Sequence, residues 1–295
     1  MSIYIVTDTT SDIPPGLQQT LPISVIPLYI ALNGKSYRDK LDLTREAFYE
    51  SLPTAEPHPT TAAPSPAQYK QIYDQLADQG ATTIFSIHIS ASLSAVYQSA
   101  VSAAETYKRI PVIPIDSGNL SLAEGFVVVK AAQAAAAGKS VSEIQAIIDE
   151  AILGAHAFAK LDTIDYLLRG GRMSAIQYNV VSLLGIKPIL KMHNHTSRME
   201  IARTKSKAFQ KVLEVAMEKF PRAELFGITH ADALGQVNEL VQKLTQTYPD
   251  LPDPYVSAVT PALGAHVGPG AVCINWIESA TDAEPERKGL RRWLH

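Results

Sequence analysis

The sequence predicts an α/β fold with a parallel sheet in its first half and an α+β arrangement in its second. Three observations carry that expectation. Short apolar runs alternate with amphipathic stretches from the first residues onward. The runs are near-continuous in Ile, Val and Phe, as a parallel sheet covered by helices on both faces requires. After about Ala159 the alternation gives way to strand pairs. At 295 residues the chain is about twice the ~150 residues of a typical domain. We therefore expect an N-terminal domain over 1–159 and a C-terminal domain over 160–295.

Taken in order, Ile3 to Val6, Thr83 to Ile89, Val112 to Ile115 and Leu225 to Ile228 read as strands buried on both faces. Pro53 to Pro66, rich in Pro, Thr and Ala, reads as a long ordered loop reaching across a cleft. Ser65-Pro66-Ala67-Gln68 offers an N-cap hydroxyl, proline at the first helical position and a capping-box glutamine. Tyr69, Ile72, Tyr73 and Leu76 then share one helical face. Leu122 to Ala137 is apolar almost all round and rich in alanine, so it reads as a helix sandwiched between layers. Ser140-Val141-Ser142-Glu143 is a second capping box, followed by a stripe of Ile144, Ile147, Ile148, Ala151 and Ile152. In the second half, Pro188 to Met192 and Met199 to Arg203 flank a polar turn and predict a hairpin. Helices over Ala208 to Phe220 and Ala233 to Tyr248 follow, then strands near Tyr255 to Thr260 and Ala271 to Ile277.

Composition excludes several classes of function. With 46% hydrophobic and 19% charged residues the bulk of the chain is not disordered. Lys plus Arg is 26 against 29 Asp plus Glu, a net charge of −3, so no basic excess serves nucleic acid. The single cysteine, Cys273, allows neither an internal disulfide framework nor a cysteine-based zinc site. The N-terminus lacks the pattern of a signal peptide, and no apolar run reaches the ~18 residues of a membrane span. A cytoplasmic monomer with at most transient membrane-surface contact is the expectation.

Familiar phosphate motifs fail. Gly34-Lys35-Ser36 and Gly138-Lys139-Ser140 end like a Walker A loop, but the earlier glycine position holds Tyr29 or Gln133. Gly268-Pro269-Gly270 lacks the third glycine of a dinucleotide fingerprint. Asp8 closes the first strand but has Thr10, not a second acid, two residues on, so it reads as a turn-capping acid. His193 and His195, two apart in a polar turn, are a weak metal pattern, and no metal is expected.

What survives is a set of small polar loops at strand ends. Thr7 to Asp12, His88 to Ser94 and Asp116 to Gly118 place hydroxyls where open α/β sheets bind ligands. Ser92 or Ser94 would sit at a helix N-terminus, a position that suits an anion or simply an N-cap. Leu168-Arg169-Gly170-Gly171-Arg172-Met173 reads as a tight turn exposing backbone N–H groups, and Arg203 closes a strand. His266, framed by Gly264, Gly268 and Gly270, suits an anion contact through its titration range.

With these residues in place, the chain resembles the DegV family. The opening Ile-Val-Thr-Asp-Thr-Thr-Ser-Asp-Ile-Pro, Thr61-Ala62-Ala63-Pro64-Ser65 and the Ile89-to-Ala100 segment carry the resemblance. So do Arg169-Gly-Gly-Arg172-Met-Ser174, Gly185-Ile-Lys187-Pro188, Arg203-Thr204 and Gly-x-His266-x-Gly-Pro-Gly, in family order from residue 3 to about 275. The resemblance implies a Rossmann-like N-terminal domain, an α+β C-terminal domain and a long-chain fatty acid in a tunnel between them. It implies a lipid-binding protein rather than an enzyme, with no cofactor, that presents the carboxylate to a separate fatty acid kinase for acyl-phosphate formation. The carboxylate contacts carried over are Thr61, the Ser94-Ala95 loop and His266, with Arg172 and Arg203 near the head group or facing the partner. The family commonly reads Leu-Ser-Gly-Thr where this chain has Leu93-Ser94-Ala95-Val96, Thr-Ser-Gln-Pro where it has Thr61-Ala62-Ala63-Pro64, and glycine at Cys273. Two alternatives stay open at this point. One is an acyl-ester hydrolase using Ser94 with His266, and the other is a carrier of a different amphiphilic acid.

Overall fold

A computed structural model describes residues 2–175 and 185–278. Within the expected C-terminal span, 176–184 and 279–295 lie outside the described residues. The first half runs β1 (Ile3–Asp8), α1 (Pro15–Thr20), β2 (Ile23–Ile26), β3 (Tyr29–Leu32), β4 (Lys35–Arg38), α2 (Arg45–Ser51), β5 (Thr60–Ala62) and α3 (Pro66–Asp78). It continues with β6 (Thr83–His88), α4 (Val96–Thr106), β7 (Val112–Asp116), α5 (Ser121–Ala136) and α6 (Val141–Gly154). The second half holds β8 (Ala155–Lys160), α7 (Asp165–Arg169), β9 (Lys187–His193), β10 (Thr196–Ala202) and α8 (Lys205–Lys219). It ends with β11 (Ala223–His230), α9 (Leu234–Thr247), β12 (Tyr255–Ala258), α10 (Pro261–Val267) and β13 (Val272–Glu278).

The expected parallel sheet is present, in the order β2-β1-β6-β7, with every pairing parallel. Strands β1 and β6 are buried nearly throughout, but β7 is an edge strand and only half-buried. A second, mixed sheet runs β10-β9-β8-β13-β11-β12. Leu225 to Ile228 belongs to this sheet: β11 is antiparallel to β13 and parallel only to β12. The expected division at 159/160 falls inside β8, which pairs with β9 and β13.

Both capping boxes form, at Ser65 with Gln68 and at Ser140 with Glu143. Each is a reciprocal bond across three residues, which sequence alone specifies. Helix α5 is buried on nearly every side, between β1 of the first sheet and β8, β11 and β13 of the second. Its alanines and Gly125 allow that close approach. A Cβ added at Gly125 would lie 2.5 Å from the Ser11 carbonyl oxygen.

Pro53 to Pro66 is not a plain loop. It contains β5, which pairs antiparallel with β3 to give a small third sheet, β4-β3-β5. That strand carries Thr61 to the second half of the molecule, where His58 Nε2 lies 2.9 Å from the Ala265 carbonyl oxygen. The predicted hairpin is present, with Asn194 and His195 both at positive φ in its turn. Its tip reaches back to the first sheet: the His195 N–H donates to the Gly118 carbonyl at 2.9 Å, and its ring faces Asp116. No helix among the described residues is long and apolar enough to cross a membrane.

Candidate functional site

A cavity opens where the carboxyl ends of β1 and β6 face β8, β9, α10 and the loop after it. Leu28, Ile89, Leu93, Leu161, Leu190 and Leu263 are among its walls, and Ala157, Met192, Val259 and Cys273 extend them. Its polar members include Thr61, Ser94, Arg172 and His266, with Thr10 and Ser121. The structure thus brings together four of the residues singled out in sequence. Ala95 and Arg203 are exposed and do not line the cavity. The apolar walls were not recognisable in sequence, because an apolar residue lining a cavity has the same pattern as one filling a core. The cavity volume is about 120 Å³, near that of an apolar cavity that admits benzene. A longer chain has to move lining side chains or run on through the open side.

His266 and Thr61 are directly paired in the lining. The His266 Nε2 and Thr61 Oγ1 atoms are 3.0 Å apart. Burial, with the neighbouring charges of Arg172 and His58, lowers the His266 pKa to about 4. The ring is therefore neutral at neutral pH, and the anion contact expected from an imidazolium becomes a contact organised by a neutral imidazole. Its buried Nδ1 has no hydrogen-bond partner. In the tautomer with the proton on Nε2, the ring donates to Thr61 Oγ1 and no buried N–H is orphaned. The Thr61 hydroxyl hydrogen is then free to donate into the cavity.

Ser94 stands one residue before the N-cap of α4, which is Ala95 with no capping side chain. The Ser94 hydroxyl oxygen accepts the Val96 N–H at 3.4 Å, a distance that leaves it free to engage a ligand. Ala95 has φ −78°, so alanine stands there without the positive φ that would call for glycine. Cys273 is a buried free thiol whose pKa burial pushes up to about 12. It packs as an apolar wall residue.

The Arg169-to-Met173 turn departs from expectation. Its N–H groups are not exposed. Arg172 N donates to the Leu167 carbonyl and Gly171 N to Leu168, with Gly171 at φ +71°. That is a Schellman cap closing α7. What the turn presents instead is the Arg172 side chain, held by its own bond to the Gly170 carbonyl at 2.8 Å.

The same geometry bears on hydrolysis. A nucleophile–histidine–acid chain needs an acceptor on the second ring nitrogen, and His266 Nδ1 has none. Such a chain does exist elsewhere, with Ser86 Oγ 2.7 Å from His88 Nε2 and His88 Nδ1 3.0 Å from Asp8 Oδ2. All three are 0% exposed, and Tyr73 covers Ser86. Substrate cannot reach it. His193 and His195 do not converge on a metal: His193 stacks on His156, and His195 faces Asp116.

Comparison with known proteins agrees with this architecture. A DegV domain-containing protein of Listeria innocua is 34% identical over 278 residues, covering 93% of this chain and 98% of its own. The crystal structure of DegV, a fatty acid binding protein from Bacillus subtilis, superposes with a TM-score of 0.85 at 30% identity, covering 95% of this chain and all of the other. A DegV family protein from Thermus thermophilus, described for its fatty acid binding, gives a TM-score of 0.81 at 28% identity, covering 95% of this chain and all of its own. With these likenesses spanning both sheets, and the DegV family model matching residues 2–279, the chain belongs to the DegV family.

Proposed function

We propose that the chain binds a long-chain fatty acid in this cavity and presents its carboxylate to a separate fatty acid kinase for acyl-phosphate formation. The observation that carries the reading is the make-up of the cavity, with apolar walls drawn from both halves and Thr61, Ser94, Arg172 and His266 among its polar lining. The fatty-acid-binding relatives from Bacillus subtilis and Thermus thermophilus support it.

In this reading the carboxylate accepts from the hydroxyls of Thr61 and Ser94, with Arg172 supplying the positive charge. His266 acts one bond away, by fixing which way the Thr61 hydroxyl hydrogen points. Burying about 14 methylenes at ~0.8 kcal/mol each gives roughly 11 kcal/mol gross. Ordering the chain costs several kcal/mol of that. The tail therefore supplies most of the affinity and the polar set the orientation, which is what presenting a reactive carboxylate requires.

The test is uptake of palmitate by native mass spectrometry and titration. The double substitution of Thr61→Ala with Ser94→Ala is expected to weaken binding by about 100-fold, two lost bonds to a charged acceptor. Unchanged affinity in that variant would overturn the assignment.

A further inference from the structure

Three ammonium groups converge on one acidic residue beside the cavity. The Lys160 Nζ donates to Asp162 Oδ1 at 2.9 Å, Lys205 Nζ lies 2.6 Å from Asp162 Oδ2, and Lys187 Nζ donates to the Asp162 carbonyl oxygen at 2.7 Å. One carboxylate balances three ammonium ions, leaving two positive charges in excess. Lys160 is only 1% exposed, whereas Lys205 is 67% exposed, so the cluster is closed beneath and open to solvent above. Arg203, also exposed, precedes it by two residues in the chain. Burial and the two neighbouring lysines both press the Lys160 ammonium toward losing its proton, against the pull of Asp162. Half-buried charge of one sign is costly until an anion arrives.

The cluster also stands next to the cavity that holds the carboxylate set. Gly270, in the loop that follows His266, packs against Asp162: a Cβ there would lie 2.6 Å from Oδ2. Leu161 and Ala271, the neighbours of these two residues in the chain, line the cavity. Lysine ammonium groups are compact charges with three rotatable donors each, suited to the several oxygens of a tetrahedral anion. In the proposed function the carboxylate is held by Thr61, Ser94 and Arg172, which leaves the cluster open to a second anion.

We infer that Lys160, Lys187 and Lys205 around Asp162 form a phosphoryl-binding site adjoining that cavity. The inference rests on the reading that the bound carboxylate is phosphorylated there. The phosphoryl oxygens could belong to a nucleotide brought by the kinase or to the acyl phosphate itself, and the test separates the two.

The full chain is titrated calorimetrically with pyrophosphate, ATP and dodecyl phosphate, and palmitate uptake is read separately by native mass spectrometry. The variants are Lys205→Met, whose exposed side chain can be removed without touching the core, and Lys187→Met. Each is expected to weaken phosphate binding about tenfold, the loss of one charge-assisted bond, with palmitate uptake unchanged. Weakening confined to ATP and pyrophosphate identifies the nucleotide as source; weakening confined to dodecyl phosphate identifies the acyl phosphate. Absence of binding by every phosphate probe, or wild-type affinity in both variants, overturns the inference. Failure of palmitate uptake in the wild type would instead remove the proposed function, and the pyrophosphate arm would still report on the lysines.

Discussion

Gly170 and Gly171 are neighbours with different reasons to be glycine. Gly171 sits at φ +71° with nothing near its absent Cβ. Gly170 has an ordinary helical φ of −78°, but a Cβ there would overlap His266 Nδ1 and lie 2.9 Å from the Tyr166 carbonyl. Gly171 serves the backbone, and Gly170 makes room for the histidine ring. Gly171→Ala is therefore expected to cost ~1–2 kcal/mol of stability while fatty acid affinity stays at the wild-type value. Gly170→Ala is expected to cost a similar ~1–3 kcal/mol by overpacking, and in addition to weaken fatty acid binding about tenfold by displacing the ring that orients Thr61. Urea unfolding and palmitate titration on both variants check this; equal ligand affinity in the two would show that Gly170 does not position His266. The doublet was legible in sequence as a turn. The fate of its N–H groups was not, because a Schellman cap depends on where the preceding helix ends. The Thr61–His266 pair lies 205 residues apart, so no local pattern could join them, and only family resemblance had placed them in one site.

Among the elements, α3 and α6 were readable because a capping box lies within four consecutive residues. Strand β5 was not: three residues in a Pro-rich segment carry no period, and its pairing with β3 is set by tertiary contact. Helix α5 was readable as sandwiched from its alanine-rich, all-round apolar surface, yet it holds one acid, Glu124, at 0% exposure. Glu124 accepts from the Thr7 and Thr10 hydroxyls at 3.3 and 3.2 Å. Burial and the nearby charge of Asp8 push its pKa well above the usual carboxylate range. Burial also pushes Asp8 up, but His88 and Thr10 outweigh it and keep Asp8 ionised. Of the two acids, Glu124 is therefore the one that keeps its proton to higher pH. The unfolded chain ionises Glu124 near pH 4.3 while the folded chain keeps the proton, so this group's contribution to stability falls as pH rises above that value. Glu124→Gln has nothing to ionise. Its stability relative to wild type is expected to rise with pH between about pH 5 and pH 8, followed by urea midpoints at each pH. A difference that stays flat across that range would place no proton on Glu124.

At the scale of the whole molecule, the second sheet has an apolar cluster of its own against α8 and α9, but two further clusters are shared between the halves. One apolar cluster joins Ile3, Ile5 and Phe85 of the first sheet to Ile277 of the second through Leu122, Phe126 and the rest of α5. Another joins Val6 and Tyr69 to Ala262 and Ala265 of α10. Buried polar bonds cross at the same places: the Thr260 N–H donates to Asp12 Oδ1 at 2.9 Å, Thr260 Oγ1 to Asp39, and Asn119 Nδ2 to the Ala155 carbonyl. Separating the halves would expose an apolar helix and orphan these groups together, so opening the two halves apart carries a large cost. This has a functional side. A cavity walled by both halves keeps its shape only while the halves stay in register, and a shared core enforces that register without a rigid linker. Hydrogen exchange read by mass spectrometry on the full chain tests it. The slowest amides of β1 and β6 and those of β8 and β13 are expected to exchange with the same opening free energy, that of global unfolding. A difference of more than ~1 kcal/mol between the two sheets would mean that one opens while the other stands. The cavity would then form and disperse with that sheet's opening.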